Sequence, residues 1–484
     1  MNAVSRSQQR WLIFFGLVFC IKSALFCLDS SPMFFLGDSA SYIHTALSGW
    51  VPPDRSFLYG FVIRLVAVST HSLRMLVAFQ VLLSFFTTLL FSYVLIRFFR
   101  IGKTLAFAFG ICSAIEPLQL LYERYVLTET ISLFVLALYF LLLFLYLEKP
   151  SLWLLGTLQL AGTVLIGFRL SFLPVVVFNS IATPVMCTMD FFSSYKHRDS
   201  QTQFLDSKRS RAFLASAMNA MLHLAISLSA FYVFHSAYKH LNGHLTHLPQ
   251  AYQYQSGYFL LADWSPIVKA EDFPDPESAE AVFANLSIDL RDRHMRGGHR
   301  WMDGGLIAAL LKAYPNPNEA DRVARLIAIN ALKRDPLGVA LLAGKGFLDY
   351  WDVETLQACM AFDRGPIEIP TSTRDTVQMG FGLDVEDNHI RKTVTNTYYF
   401  AVWPWYLILL CSPLFAFLCW LVCSSRQRRY AFVVFASICA QMVIVCSLIE
   451  RPTIRYLHAV SWLFMLTLPP IASFFIKRSC IRPE

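Results

Sequence analysis

Residues 126–147 read VLTETISLFVLALYFLLLFLYL, and Glu148-Lys149-Pro150 closes the run. At 1.5 Å of rise per residue, a helix of this length crosses a hydrocarbon core of about 30 Å. Apart from Glu129 near its start the run carries no charge. It reads as a membrane-spanning helix, and the same pattern recurs along the chain in blocks of about 18–25 residues. Working outward, the spans expected are Trp11 to Leu28, Ser72 to Ile96, Thr104 to Leu121, Val126 to Leu147, Leu152 to Phe168, Leu170 to Met189, Ala212 to Phe234, Tyr398 to Val422, Tyr430 to Ile449 and Leu457 to Ile476. The fold expected is an all-α polytopic membrane protein with about ten transmembrane helices.

The composition agrees. Of 484 residues, 56% are hydrophobic and 15% charged, where soluble domains carry roughly 25% charged. The formal charge of +8 does not point to nucleic acid, because the basic residues sit in short loops beside spans. Those loops alternate. Arg6/Arg10, Arg97/Arg100/Lys103, Lys149, Lys196 to Arg211, Arg426 to Arg429 and Lys477/Arg478 share one side. The positive-inside rule makes that side cytoplasmic and puts both termini there. The first loop (29–71), the Glu123 turn, the Arg169 turn, the long hydrophilic stretch and the Glu450 turn share the other side. The chain then divides into an N-terminal membrane module (1–234), a non-cytoplasmic region (235–397) and a C-terminal membrane module (398–484). The first apolar run lacks an A-x-A-like cleavage site and reads as a retained span. Of eleven cysteines only Cys359 lies in the hydrophilic region, and no C-x-x-C occurs. A disulfide framework or a cysteine-built zinc site is not expected.

The hydrophilic region reads as mostly helical. Asn318 to Lys333 predicts an amphipathic helix capped by Asn318, with Val323, Leu326, Ile327 and Leu332 on its apolar face. Pro336 to Tyr350 predicts a second helix, with Tyr350-Trp351 as an interfacial anchor. Ala270 to Glu277 reads as loop. His240, His244 and His247, with His235 nearby, have helical spacing for a metal site. The reading against it is that Asn242-Gly243 breaks the helix and no acid completes the set.

Ionisable groups near membrane depth are functional candidates because each costs about 2.5–3.5 kcal/mol to insert. Glu116, Glu129 and Arg169 qualify, with capping or snorkelling as the plainer roles. Lys22 reads as a snorkelling side chain. Asp38, beside Gly37 and before Ser41 to Ser48, has the position of a helix N-cap. Arg55 alone would be a solvated loop charge. Arg451 and Arg455 bracket Pro452 in a short turn. Arginines gathered on one membrane face suit a phosphate headgroup, which guanidinium binds bidentately.

Several segments together carry a resemblance. They are Gly37-Asp38-Ser39-Ala40-Ser41-Tyr42, Pro53-Asp54-Arg55-Ser56-Phe57-Leu58-Tyr59, Tyr125-Val126-Leu127-Thr128-Glu129, Arg169, Arg334-Asp335-Pro336-Leu337 and Arg455-Tyr456-Leu457. In order and spacing the chain resembles the membrane glycosyltransferases of the C superfamily, in particular bacterial relatives of protein O-mannosyltransferases and lipid A aminoarabinose transferases. The resemblance implies a polyprenyl-phosphate-linked sugar donor, an inverting transfer at the periplasmic face of a bacterial inner membrane, and no nucleic-acid partner. It implies Asp38 as catalytic base, with Glu129 or Glu116 as a second carboxylate. Arg55, Arg169 and Arg455 become donor-phosphate partners, with Glu123, Arg451 and Tyr59 as secondary candidates. Many relatives pair Asp with Glu where this chain has Asp38-Ser39, which removes half of a metal site built on that pair. No metal ligand is assigned, and a divalent metal stays open as the one cofactor.

The physical fit is direct. Burial worth about 0.8 kcal/mol per methylene confines a polyprenyl tail to the bilayer, so its sugar-phosphate head lies where these loops lie. A carboxylate can deprotonate an acceptor hydroxyl or amine, and arginines can stabilise the leaving phosphate. Two rivals stand: a polytopic transporter or lipid-linked saccharide flippase, which needs charges through the depth of several spans, and a non-catalytic membrane assembly subunit.

Overall fold

The computed structural model describes residues 6–198, 206–363, 368–385, 393–448 and 453–479. Its elements there are helices, apart from one parallel bridge between Met33 and Tyr125. In chain order they are α1 (Arg6–Leu28), α2 (Leu36–Ser48), α3 (Phe57–Ile63), α4 (Leu73–Arg97), α5 (Lys103–Ala114), α6 (Pro117–Tyr122), α7 (Glu129–Glu148), α8 (Leu152–Phe168), α9 (Leu173–Arg198) and α10 (Asp206–Thr246). The hydrophilic region follows as α11 (Ser256–Asp263), α12 (Pro276–Ala284), α13 (Arg296–Trp301), α14 (Leu306–Ala313), α15 (Pro317–Arg334), α16 (Pro336–Asp349), α17 (Val353–Asp363) and α18 (Thr371–Phe381). The chain closes with α19 (Val394–Ala401), α20 (Trp403–Leu410), α21 (Ser412–Val422), α22 (Ser425–Ser447) and α23 (His458–Ser479).

This is an all-α polytopic membrane protein. Each of the ten apolar runs carries helix, but they do not all span alike. Among the described residues six helices are long and apolar enough to cross a bilayer, and α20 with α21, bent by 58°, make a seventh when the pair is counted as one span. The third, fifth and sixth runs are shorter. The third is split at Glu116, which caps α6 by accepting from the Gln119 N–H at 2.7 Å. Pro117 has no N–H to give at that break, and it occupies the first helical position of α6.

The two ends of the bundle have different chemistry. At one end Arg97 Nη2 meets Glu148 Oε2 at 3.0 Å, Lys103 donates to Ser7, and Gln427 donates to the Phe99 carbonyl. These are the loops assigned to one side by their basic residues. The other end, called the site end below, is braced by buried charge. Lys22 is only 2% exposed and pairs with Glu123, which also pairs with Arg124. Lys22 therefore does not snorkel. It is turned inward because Glu123 is there to receive it. Arg124 donates to the carbonyls of Leu25 and Asp29 at 3.1 Å each, tying the turn to the end of α1. Gln80 donates to the Glu123 and Tyr125 carbonyls at 3.0 Å each.

The hydrophilic region divides between two cores. Helices α11 to α16 enclose one of their own, with Leu261, Leu310, Ile327 and Leu342 in it and Leu448 packed against it. Leu356, Met360 and Val377 of α17 and α18 belong instead to the main core of the bundle. Several expectations change here. Asn316, not Asn318, caps α15, because the helix starts two residues earlier, at Pro317. Leu326 is exposed, while Val323 and Ile327 are buried. Ala270–Asp272 is a single 3-10 turn rather than plain loop. Tyr350 is buried, not interfacial, and its hydroxyl donates to the Thr453 carbonyl at 3.1 Å and accepts from the Thr453 N–H at 2.9 Å. Helix α10 runs straight through Asn242-Gly243 to Thr246. The Asn242 side chain is engaged with the Ala251 carbonyl at 2.8 Å, so it does not compete for its own helix backbone.

Two outcomes follow. Glu123→Ala leaves Lys22 and Arg124 buried without their carboxylate, a loss of about 3–5 kcal/mol, so its membrane abundance and melting temperature should fall sharply. Normal abundance would refute the bracing role. Single cysteines at Ser287 and Ser425, in a background without other cysteines, should be labelled by an impermeant reagent from opposite sides of the membrane. Labelling of both from one side would overturn the assignment of these ends to opposite sides.

Candidate functional site

Four loops distant in sequence deliver charged groups to one point at the site end. The first is fixed through backbone. The Met33 N–H donates to the Arg124 carbonyl at 2.8 Å, and the Val126 N–H donates to the Met33 carbonyl at 2.9 Å. This bridge sets the start of α2 beside the start of α7. Ser39 secures it, accepting from the Phe35 N–H at 2.8 Å and donating to the Val126 carbonyl at 3.0 Å. Asp38 is therefore not an N-cap. Helix α2 begins at Leu36 after an extended Phe35, and Asp38 sits within the first turn with its carboxylate directed at side chains.

Arg55 lies between α2 and α3. Ser56 caps α3 and shares a 2.8 Å hydrogen bond with Tyr238 of α10. The Tyr254 N–H donates to the Pro53 carbonyl at 2.8 Å. The two short helices pack tightly at Gly60, where a Cβ would collide with the Thr45 side chain. Any side chain there would push α3 away from α2, and Arg55 with it.

The result is one connected ion cluster. Arg55 pairs with both Asp38 and Asp54. Arg455 Nη1 meets Asp38 Oδ2 at 2.9 Å, and its Nε donates to Glu129. Arg169 Nη1 meets Glu129 Oε1 at 2.8 Å and lies over the Tyr456 ring at 5.0 Å. Arg455 also lies over the Phe35 ring at 4.6 Å. Glu129 is fully buried, whereas Asp38 keeps 17% of its surface. Burial opposes ionisation of Asp38, but Arg55 and Arg455 outweigh it and hold its carboxyl below the ordinary range. Arg300 of α13 adds a weaker pull of the same sign. Burial would lower the Arg55 pKa, yet Asp38 raises it further, so both partners stay charged.

The sequence-predicted residues thus separate. Asp38, Glu129, Arg55, Arg169 and Arg455 come together. Tyr59 does not join them, since its hydroxyl donates to Gln80 Oε1 at 2.8 Å. Glu123 belongs to the Lys22 brace. Glu116 accepts from Trp405 Nε1 at 3.0 Å and Ser461 Oγ at 2.8 Å, an internal tie between helices. Arg451 lies outside the described residues.

Asp363 of α17 is a residue that reading the sequence missed. Its buried carboxylate accepts from Thr453 Oγ1 at 2.6 and 2.7 Å, the Ile454 N–H at 2.6 Å and the Arg455 N–H at 3.1 Å. With Tyr350 on Thr453, it fixes the turn that aims Arg455. Nothing near Asp363 in sequence signals a partner some ninety residues on, since the pairing exists only after folding. Burial pushes its pKa up to about 6. Beside Arg169 a small cavity is lined by Ser171, Gln441, Tyr456 and His458. Ser171 Oγ, Gln441 Oε1 and His458 Nε2 have no partner among the described residues.

The set does not fit a divalent metal as it stands. Both carboxylates face guanidiniums, and among the described residues no group of three His, Cys, Asp or Glu side chains is placed to hold one.

No protein-family model matches the chain, and no curated protein matches it. Among solved structures the chain is similar to ArnT from Cupriavidus metallidurans in the apo state, at 15% identity over 96% of this chain and 79% of that one, with a TM-score of 0.29. At that identity and score the likeness carries no chemical inference.

Two measurements check the geometry. Arg455→Ala and Glu129→Gln should be non-additive in melting temperature, the double variant losing less than the two singles together. An additive loss would mean the two side chains do not interact. Asp363, raised from 3.8 to about 6, keeps a proton in the folded state that the unfolded chain releases. Its contribution to stability is therefore complete below the ordinary carboxyl range and is lost as pH rises through about 6. The melting-temperature difference between wild type and Asp363→Asn should shift against the wild type over that window. A constant difference would show that Asp363 does not titrate there.

Proposed function

We propose that this chain is an inverting glycosyltransferase that moves a sugar from a polyprenyl-phosphate donor to a lipid, glycan or protein acceptor at the site end of the membrane bundle. The observation that carries this reading is the convergence of Arg55, Arg169 and Arg455 on Asp38 and Glu129. Those groups come from loops that the basic-residue pattern assigns to the non-cytoplasmic side. A cluster at the end of the spans suits a substrate whose tail stays in lipid and whose charged head reaches the interface.

In this reading the donor phosphate takes guanidinium contacts now made by carboxylates. Arg55 and Arg455 turn in part to the phosphate, and Asp38 loses the partners that depress its pKa. Asp38 then accepts the proton of the acceptor hydroxyl or amine. The acceptor atom bonds to the anomeric carbon as the bond from that carbon to the phosphate oxygen breaks. The electron pair leaves with the phosphate, whose growing charge the arginines stabilise. Glu129 stays buried between Arg169 and Arg455 and fixes their spacing. Direct displacement inverts the anomeric centre. The face is periplasmic and the membrane a bacterial inner membrane in this proposal.

The test is turnover by purified Asp38→Asn in lipid, beside its donor binding and membrane abundance. Asn keeps the shape but cannot take the proton, so the rate should fall by roughly 10²–10⁴-fold with donor still bound. Near-normal turnover would move the base elsewhere. A product with retained anomeric configuration would overturn the mechanism.

A further inference from the structure

Helix α16 reads PLGVALLAGKGFLD. Val339, Leu342 and Gly346 face inward. Gly346 packs against α22, where a Cβ would stand in ordinary contact, 3.4 Å from the Cys446 carbonyl oxygen. The other face is also apolar. Leu337, Leu341 and Leu348 are 67%, 58% and 65% exposed, with Ala340 and Gly344 exposed between them and Lys345 the only charge in that stripe. Their spacing places them on one side of the helix. The acid that ends the helix, Asp349, is neutralised by Arg293, with Nη2 at 2.9 Å from Oδ1.

We propose that this stripe is seated in the lipid leaflet at the site end, making α16 an interfacial helix. Its level is set by α22, a membrane-spanning helix that ends at Ser447. Gly346 touches that last turn, and Trp264 Nε1 donates to the Ser447 carbonyl at 2.9 Å. One turn below, Val443 is 62% exposed, so the lipid-facing surface of the span reaches the height of α16. A contiguous apolar stripe is rare on a surface that meets only water. The leaflet boundary fits it: leucines in the acyl region, Lys345 extended to the headgroups, and the half-exposed Trp351 at the interface. Because α16 runs directly into Tyr350 and the Thr453 turn, a leaflet-seated α16 ties the lipid surface mechanically to Arg455. The proposal does not depend on the transferase reading.

The experiment uses the full chain with its own cysteines replaced, reconstituted in phosphatidylcholine vesicles. Single cysteines at Leu341 and Leu348 carry a small fluorophore, and Glu280→Cys on α12 is the water-exposed reference. Phosphatidylcholine brominated near the headgroup should quench the labels at 341 and 348 at least threefold more than at 280, with iodide showing the reverse order. Iodide quenching at 341 and 348 equal to that at 280, without lipid quenching, overturns the proposal. Protection from both quenchers, with crosslinking between two copies of the chain, overturns it in favour of a second copy on this face.

Discussion

Arg455 reaches two carboxylates at once, Asp38 through Nη1 and Glu129 through Nε, and the arrangement of the whole site end follows from that contact. Three carboxylates and three guanidiniums at the end of a hydrocarbon-spanning bundle are expensive to desolvate, by several kcal/mol per ion. Attraction offsets this only when the geometry is held. At an effective dielectric of about 20, a contact pair returns roughly 4 kcal/mol, and the return falls inversely with distance. The backbone ties around the cluster therefore have a physical function. The Met33–Tyr125 bridge, Ser39 on Val126, Ser56 on Tyr238 and Asp363 on the Thr453 turn each fix one arm.

The same cluster bears on Asp38 alone in the proposed reaction. Held ionised between Arg55 and Arg455, it has little affinity for a proton. What changes this is a competing anion. A donor phosphodiester carries one charge and two free oxygens, as a carboxylate does, and gains further charge only as the sugar leaves; guanidinium geometry suits both. In the proposed reaction, donor binding and activation of Asp38 become one event, and the arginines need not move far to serve both.

The helical membrane architecture was legible in the sequence because its signal is one-dimensional: apolar length gives helix, and alternate loops sort to two ends. The cluster was legible for a related reason. Asp38, Arg55, Glu129, Arg169 and Arg455 each stand at a span end on one side, so a count of crossings brings them to one face. What could not be read is set by packing. Whether Glu123 or Glu129 reaches the cluster depends on a turn of a few residues, and whether Lys22 points to lipid or inward depends on a partner one hundred residues away. Asp38 looked like a cap because helix starts are inferred from composition, and only the backbone at Phe35 shows the helix beginning earlier. Asn242-Gly243 looked like a break because propensity ignores the Ala251 carbonyl that engages Asn242.

The segment from Tyr122 to Glu129 joins the two charge networks. Glu123 at one end holds Lys22 and Arg124, which fasten α1 and the turn. Glu129 at the other holds Arg169 and Arg455. Between them Tyr125 pairs with Met33, and the Val126 carbonyl receives Ser39. A single short stretch thus bonds to the bracing charges, the first loop and the site. Energetically this keeps the expensive groups apart. The brace is fully buried and mutually satisfied, and no step is asked of it. The site keeps Asp38 partly open, with arginines that can change partners. A chain that mixed the two would lose its brace whenever substrate drew an arginine away. Placing five residues between Glu123 and Glu129 lets the second network, in the proposed reaction, exchange ligands while the first stays closed.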